Sequence, residues 1–518
     1  MQKFLNTLIA ILFAAQIAFA QDGPSCPGSI GKQISSDGPI VKLPIRPNPY
    51  IPPVANPVIL PNDRIIYWCH GLTNPAEAHH AWGVVAPVTA YQAQGNEVPG
   101  YPMRKVTSLL PNYAQFSFSS AAQSLHNYMV SAGDPISAAN QIEDKRDNFI
   151  IGHSQGGIIA RVTDKMYADL GAEADRRFGG IVTFGSSHGG AMILNNIKEV
   201  EKMGADACLL LGKPLLLDQK HKNMVMDFFV KDQTLLGIQN SFCGIIGDFV
   251  IPTMFKDQTQ PITNDYKVGA APIEALNAYT STLPRVAFYG VEEEPVFYRL
   301  LYNMVRKKPT EFKPFEANDD NELVNQHAKL MAYYLANTEV NTTFFAPDND
   351  GLLDLVLSLI KSGNYNNGAD ERKWAWYGGY IWLRESNNIW KSIIGARVPV
   401  VTEIPATECL CVTKDAAGNI LDQYSYLVDS PAECGASGMF TDCNLSLTTK
   451  LAVSYNEKPS DGTVLAESAT AFPGAATYEM PKSNHLQMRN DQNTKECLNK
   501  LFNGAFGDYF ITPTRSGN

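Results

Sequence analysis

Asp147-Asn-Phe-Ile-Ile-Gly-His-Ser-Gln-Gly-Gly157 is the stretch whose reading decides the fold. An apolar run ends at Gly152, His153-Ser154-Gln155 follows, and after Gly156-Gly157 the segment Ile158-Ile-Ala-Arg161 reads as the start of an apolar helix. This is strand, sharp turn, helix, with a serine at the tip, in the G-x-S-x-G pattern of a nucleophile elbow. A serine pushed into a strained turn needs small residues two before and two after it, so that the strand and helix backbones can approach. The helix start below the serine favours a developing anion. The bland alternative is a glycine-rich linker between strand and helix, because the bare pattern is short.

Working outward, the neighbouring segments repeat the same rhythm. Arg64-Ile-Ile-Tyr-Trp-Cys69 is a continuous apolar run, as expected of a parallel strand buried on both faces. Residues 105–110 and Gly180-Ile-Val-Thr-Phe184 read as further strands, and 76–94, 120–130, 136–143 and the segment after the elbow to about 170 read as helices. Strands alternating with helices predict an α/β fold with a mostly parallel sheet flanked by helices. The rhythm breaks after about 190. Residues 191–284 hold helix-like segments such as 191–203 and 227–236 and are read as a cap or lid insertion. Residues 285–291 return a strand. A long region, 292–448, carries four of the six tryptophans and a cysteine cluster, and suggests a compact, stapled surface module. Lys450-Leu-Ala-Val-Ser-Tyr455 reads as the last core strand, opening a second half of the core at 449–518, with a final helix over 492–502.

The bulk numbers bound the function. The 518 residues are 45% hydrophobic and 18% charged, which describes a globular protein with ample length for a core. Net charge is −10 and no block of lysines or arginines occurs, so nucleic acid is not an expected partner. Residues 1–20 read as a signal peptide: Lys3, an apolar stretch, then Ala18-Phe-Ala20 as the cleavage site. The apolar run is too short for a stable membrane span. The expected location is therefore secreted or periplasmic. Residues 21–62 form a proline-rich arm, and 63–190 the first half of the core. The chain has nine cysteines, so at least one is unpaired within a monomer. Cys69, inside a buried strand, is the candidate. Cys409, Cys411, Cys434 and Cys443 are expected as disulfides rather than a metal site, because C-x-x-C pairs are missing.

A serine nucleophile needs a base, an acid that orients the base, and donors for an oxyanion. In elbow folds the chain order is serine, acid, histidine. His485, in Ser483-Asn-His-Leu486, falls after the last expected strand and before the last helix, where a catalytic loop would deliver it. His327 and His221 lie in insertion-like surroundings. Asp461, in Ser460-Asp-Gly462, is the preferred acid. Asp350, in Asp348-Asn-Asp-Gly351, and Glu292, directly after the 285–290 strand, are its rivals. The 348–350 turn has an incomplete calcium-ligand spacing. Gln155 and Leu72, the latter in His70-Gly-Leu-Thr73, are the expected backbone oxyanion donors.

Five motifs in order, His70-Gly-Leu-Thr73, Gly152-His-Ser-Gln-Gly156, Phe184-Gly-Ser-Ser-His-Gly189, Ser460-Asp-Gly462 and Asn484-His-Leu486, resemble the α/β-hydrolase family and its bacterial true-lipase branch. Ser187 replaces the proline of the family's loop after the fourth of these strands, and Gln487 stands where calcium-binding relatives carry an acid. The resemblance covers roughly 63–190 and 449–503. It implies a serine ester hydrolase with Ser154 as nucleophile, His485 as base and Asp461 as acid, acting on a lipid or small ester, at a lipid–water interface where the substrate aggregates, with no cofactor. The elbow itself does not separate esters from thioesters, amides or acyl transfer to another alcohol. A hydrolase-like binding protein without chemistry is the non-enzyme alternative.

Overall fold

A computed structural model of the chain describes residues 66–71, 105–107, 117–130, 148–217, 261–300, 313–317, 368–435, 441–502 and 504–510, with single positions at 85 and between 327 and 335. The expected signal segment, the proline-rich arm, Leu72, Asp350, most of 76–94 and the helices expected over 136–143 and 227–236 lie outside them.

Residues 1–395 and 459–518 form one compact unit and residues 396–458 a second. In the first, six strands make one sheet: β1 (Ile66–Cys69), β2 (Lys105–Thr107), β3 (Phe149–His153), β4 (Gly180–Phe184), β5 (Arg285–Val291) and β9 (Ala476–Pro481), in the order β2-β1-β3-β4-β5-β9. Every neighbouring pair is parallel. β1, β3 and β4 are buried along their whole length, in keeping with their mainly apolar sequences. Helices flank the sheet: α1 (Phe118–Val130), α2 (Gln155–Asp169), α3 (Ile197–Leu217), α4 (Ala271–Ala278), α5 (Gly368–Ile393) and α6 (Gln492–Phe502). Trp68, Phe149, Phe184 and Phe288 on the strands meet Leu501 and Phe502 of α6 in one apolar cluster. Fully burying each such side chain contributes about 1.5–3 kcal/mol. No helix of the described residues is long and apolar enough to cross a membrane.

The second unit is a three-stranded antiparallel sheet in the order β7-β6-β8, from β6 (Arg397–Lys414), β7 (Ile420–Val428) and β8 (Thr441–Glu457). Two disulfides, Cys409–Cys434 and Cys411–Cys443, staple one end of it. Their sequence separations of 25 and 32 correspond to roughly 3–4 kcal/mol each of loop-closure entropy. Cys69 and Cys497 are free and buried.

Three expectations need correction. The 450–455 run is not a core strand. It belongs to β8, whose apolar residues at 445, 447, 451 and 453 recur with period two and stay exposed. Such alternation marks a strand open to water on at least one face, whereas β1, β3 and β4 show no alternation and are buried throughout. The sixth core strand is instead β9, Ala-Thr-Tyr-Glu-Met-Pro, an edge strand that buries only Met480 fully and so lacks a hydrophobic run. The core therefore resumes at 459 rather than 449. Finally, the tryptophans and cysteines of 292–448 do not form one module. Trp376, Trp382 and Trp390 are buried on α5, within the first unit, and only the cysteines belong to the second.

Candidate active site

The turn between β3 and α2 carries the strain its sequence predicts. Ser154 has φ 54° and ψ −125°, a left-handed conformation that costs a non-glycine residue of order 1–3 kcal/mol. Its N–H donates to the Phe184 carbonyl at 2.9 Å, which ties the turn to β4. The flanking glycines are obligatory by contact. A Cβ at Gly152 would lie 2.4 Å from the Gly157 nitrogen, and one at Gly156 would lie 2.5 Å from the Cys69 carbonyl oxygen. Strand and helix thus touch backbone to backbone, and the serine side chain is pushed out at the C-terminal end of the sheet.

His485 arrives from the loop after β9. Its Nε2 lies 2.9 Å from Ser154 Oγ, and its Nδ1 lies 2.7 Å from Asp461 Oδ2. With the carboxylate on Nδ1, the proton belongs there, and Nε2 accepts from the serine hydroxyl. Asp461 is 1% exposed. Its other oxygen accepts the Thr463 and Val464 N–H groups at 2.9 and 2.7 Å, and its carbonyl accepts the His485 N–H at 2.7 Å. The carboxylate is therefore held by its own turn before it meets the imidazole. Trp390 Nε1 closes the turn by donating to the Gly462 carbonyl at 2.7 Å. Gly185, after β4, packs beneath: a Cβ there would stand 2.9 Å from Asp461 Oδ2.

Of the expected residues, the structure brings together Ser154, Asp461, His485 and Gln155, which is buried at the first position of α2. Glu292 is near in the fold but turned to another task. Its N–H donates to the Ser460 carbonyl at 2.8 Å, its Oε1 accepts the Glu293 N–H, and Arg299 lies 3.8 Å away. It makes no hydrogen bond to His485, so it is not the acid of this group. Leu72 and Asp350 lie outside the described residues. The preceding Gly71 approaches the serine closely, since a Cβ on it would be 2.7 Å from Ser154 Cβ and 3.2 Å from its Oγ. That is the approach a backbone donor loop needs. His327 is engaged elsewhere, hydrogen-bonded to the Leu383 carbonyl and packed on Tyr298.

The sequence reading missed two supporting histidines. His153 donates from Nε2 to the carbonyl of His485 at 2.7 Å and packs ring to ring with it, centroids 4.7 Å apart. Burial, and then the neighbouring His485, hold its pKa well below the ordinary histidine value. The only signal was its place beside the serine in a buried strand end. His188 lies fully buried under the loop after β4, between Arg161 Nη1 and Thr183 Oγ1, each at 3.0 Å. Burial and the Arg161 charge hold it neutral, with its pKa far below the usual range. Among the described residues, the histidines, cysteines and carboxylates close enough to share a metal ion are Cys409, Cys411 and Cys443, all in disulfides. Gln487 hydrogen-bonds through Oε1 to the Asn484 N–H.

A hydroxyl hydrogen-bonded to an imidazole, itself held by a buried carboxylate, can surrender its proton as it attacks an electrophilic carbon. No protein-family model matches the chain, and no curated protein matches it.

Proposed function

We propose that the chain is a serine hydrolase of the α/β-hydrolase type. More particularly, the reading is an exported carboxylic-ester hydrolase, lipase-like, cleaving acylglycerols or related lipid esters. The observation that carries it is the continuous chain Ser154 Oγ, His485 Nε2, His485 Nδ1, Asp461 Oδ2, with contacts of 2.9 and 2.7 Å, set on a serine at φ 54°.

In this reading His485 takes the Ser154 proton as the hydroxyl attacks the ester carbonyl. Asp461 stabilises the imidazolium that forms. The oxyanion is received by the Gln155 N–H at the start of α2 and by the Leu72 N–H. Collapse expels the alcohol, which takes its proton from His485, and leaves an acyl-enzyme. Water then gives a proton to the same histidine, attacks, and releases the acid. The neutral His153 supports the loop that delivers the base without adding a charge beside it. The ester preference rests on the motif resemblance. The triad geometry serves acyl transfer in general.

The test is Ser154→Ala. Hydrolysis of a chromogenic acyl ester should vanish and labelling by a fluorophosphonate should be lost, with the circular dichroism unchanged. Retained turnover would overturn the assignment of the nucleophile. A wild-type panel of short and long acyl esters, thioesters and amides then tests the substrate class; faster turnover of thioesters or amides would displace the ester reading.

A further inference from the structure

The described residues expose thirteen large hydrophobic side chains, and all of them lie between 398 and 453. The most exposed sit on β8, with Leu447 at 89% and Leu451 at 68%. β8 is also an edge: the order β7-β6-β8 leaves its outer side without a neighbour among the described strands. Long, flat, apolar edges are rare in isolation because their backbone groups template further pairing.

The ladder shows which backbone groups face outward. Pro405 pairs with Thr449 and Pro399 with Tyr455. A hydrogen-bonded antiparallel pair exchanges two N–H···O bonds, and proline has no N–H, so these are the non-bonded pairs. The alternation then points the N–H and C=O groups of residues 445, 447, 449, 451 and 453 away from β6. The same argument places the missing proline donors on the outer edge of β6, beyond the reach of β7, which covers only 407–414. One edge is blunted by prolines. The other runs for 17 residues with none, about 58 Å of extended chain.

We propose that β8 is a homodimerisation edge, pairing antiparallel with β8 of a second copy about a two-fold axis at Thr449. The sequence is self-complementary in that register. Leu447 meets Leu451 of the second copy, Leu445 meets its Val453, and Thr449 meets Thr449. On the opposite face Lys450 meets Thr448, Ala452 meets Ser446, and Asn456 meets Asp442. No charge confronts a like charge directly. The two lysines near the axis each lie 3.8 Å from an Asp429 carboxylate of their own chain. Apolar and threonine cross-strand pairs of this kind stabilise sheets, and all the outward backbone groups named above find partners. Because the same edge is used twice, the assembly closes at two. The outer edge of β7 is about half as long, with nine residues. This proposal is independent of the hydrolase reading.

The experiment is light scattering coupled to size exclusion on the full chain over a concentration series. The wild type should be a dimer. Thr449→Pro removes an outward N–H at the axis and should give a monomer with unchanged ester hydrolysis and circular dichroism. L447K/L451K and L447E/L451E should each be monomeric alone, from like charges across the axis. Mixed one to one, they should form a heterodimer. A monomeric wild type overturns the proposal. So does a dimer that survives Thr449→Pro and both double variants, or a mixture that stays monomeric.

Discussion

Replacing Asp461 by asparagine tests the proposed mechanism at its most specific contact. The asparagine carbonyl can still accept the Thr463 and Val464 N–H groups that now bond Oδ1. The turn should survive, because the shape is unchanged and the site is already built from backbone donors. The loss falls on the other oxygen, 2.7 Å from His485 Nδ1. An amide NH2 there would demand an acceptor, turning the imidazole to the tautomer with its proton on Nε2, where it cannot take one from Ser154. The lost attraction between carboxylate and imidazolium adds to this. With charge centres about 4 Å apart and an effective dielectric near 20, it is worth about 4 kcal/mol. Together these predict a fall in kcat/KM of about three to four powers of ten. The assay is burst and steady-state hydrolysis of a chromogenic acyl ester, with thermal unfolding as the control. Activity within ten-fold of wild type, in a folded variant, would refute the reasoning. The parallel variant Asp350→Asn should stay within ten-fold; if it were the inactive one, the acid would have been misassigned.

Two other perturbations probe the surroundings of the triad. His153→Phe keeps a ring against His485 but removes the hydrogen bond to its carbonyl, worth about 1–1.5 kcal/mol. The expected result is a kcat lowered about ten-fold at unchanged KM, and a kcat within two-fold of wild type would deny His153 a positioning role. Acid should unfold the protein through its neutral histidines. Burial and Arg177 push His126 down to about 4, and His153 and His188 lie well below the ordinary value of 6.5. The unfolded chain binds these protons more readily than the folded one, so their contribution is complete above about pH 6.5 and drains away as the pH falls towards the lowered values. The urea midpoint should therefore drop between pH 7.5 and 5, and His188→Asn should reduce the slope; a flat profile would contradict the burial argument.

Where side chains are buried on both faces, the sequence spoke clearly. β3, β4 and β5 lie where their mainly apolar runs put them, and the helix over 492–502 lies where its spaced apolar residues put it, burying Cys497, Leu498, Leu501 and Phe502 on one face. The elbow was legible because only glycine fits at 152 and 156. Asp461 meets His485 for a reason the sequence does not display. The apolar run that precedes it, 450–455, reads as a core strand but belongs to the three-stranded ribbon. Asp461 sits in a loop packed against the end of β5 and the His485 segment. β9 escaped notice because one half-exposed edge strand needs no apolar pattern. His153 and His188 escaped because a buried neutral histidine leaves no periodic signature, only a partner that the fold supplies.

The ribbon begins and ends at one point. Arg397 pairs with Glu457, and the Lys458 N–H donates to the Ala396 carbonyl at 2.7 Å. Chain entering and chain leaving are thus adjacent, and some sixty residues are threaded through a gap that a tight turn could span. In genetic terms the ribbon is a cassette. It can be gained, lost or exchanged in one step without altering the order of the core strands, and its sequence can drift under demands different from those on the triad. Replacing residues 398–456 with an Asn-Gly turn should leave a folded chain whose Ser154 still reacts with a fluorophosphonate; an insoluble or unreactive product would mean that the cassette has become indispensable to its host.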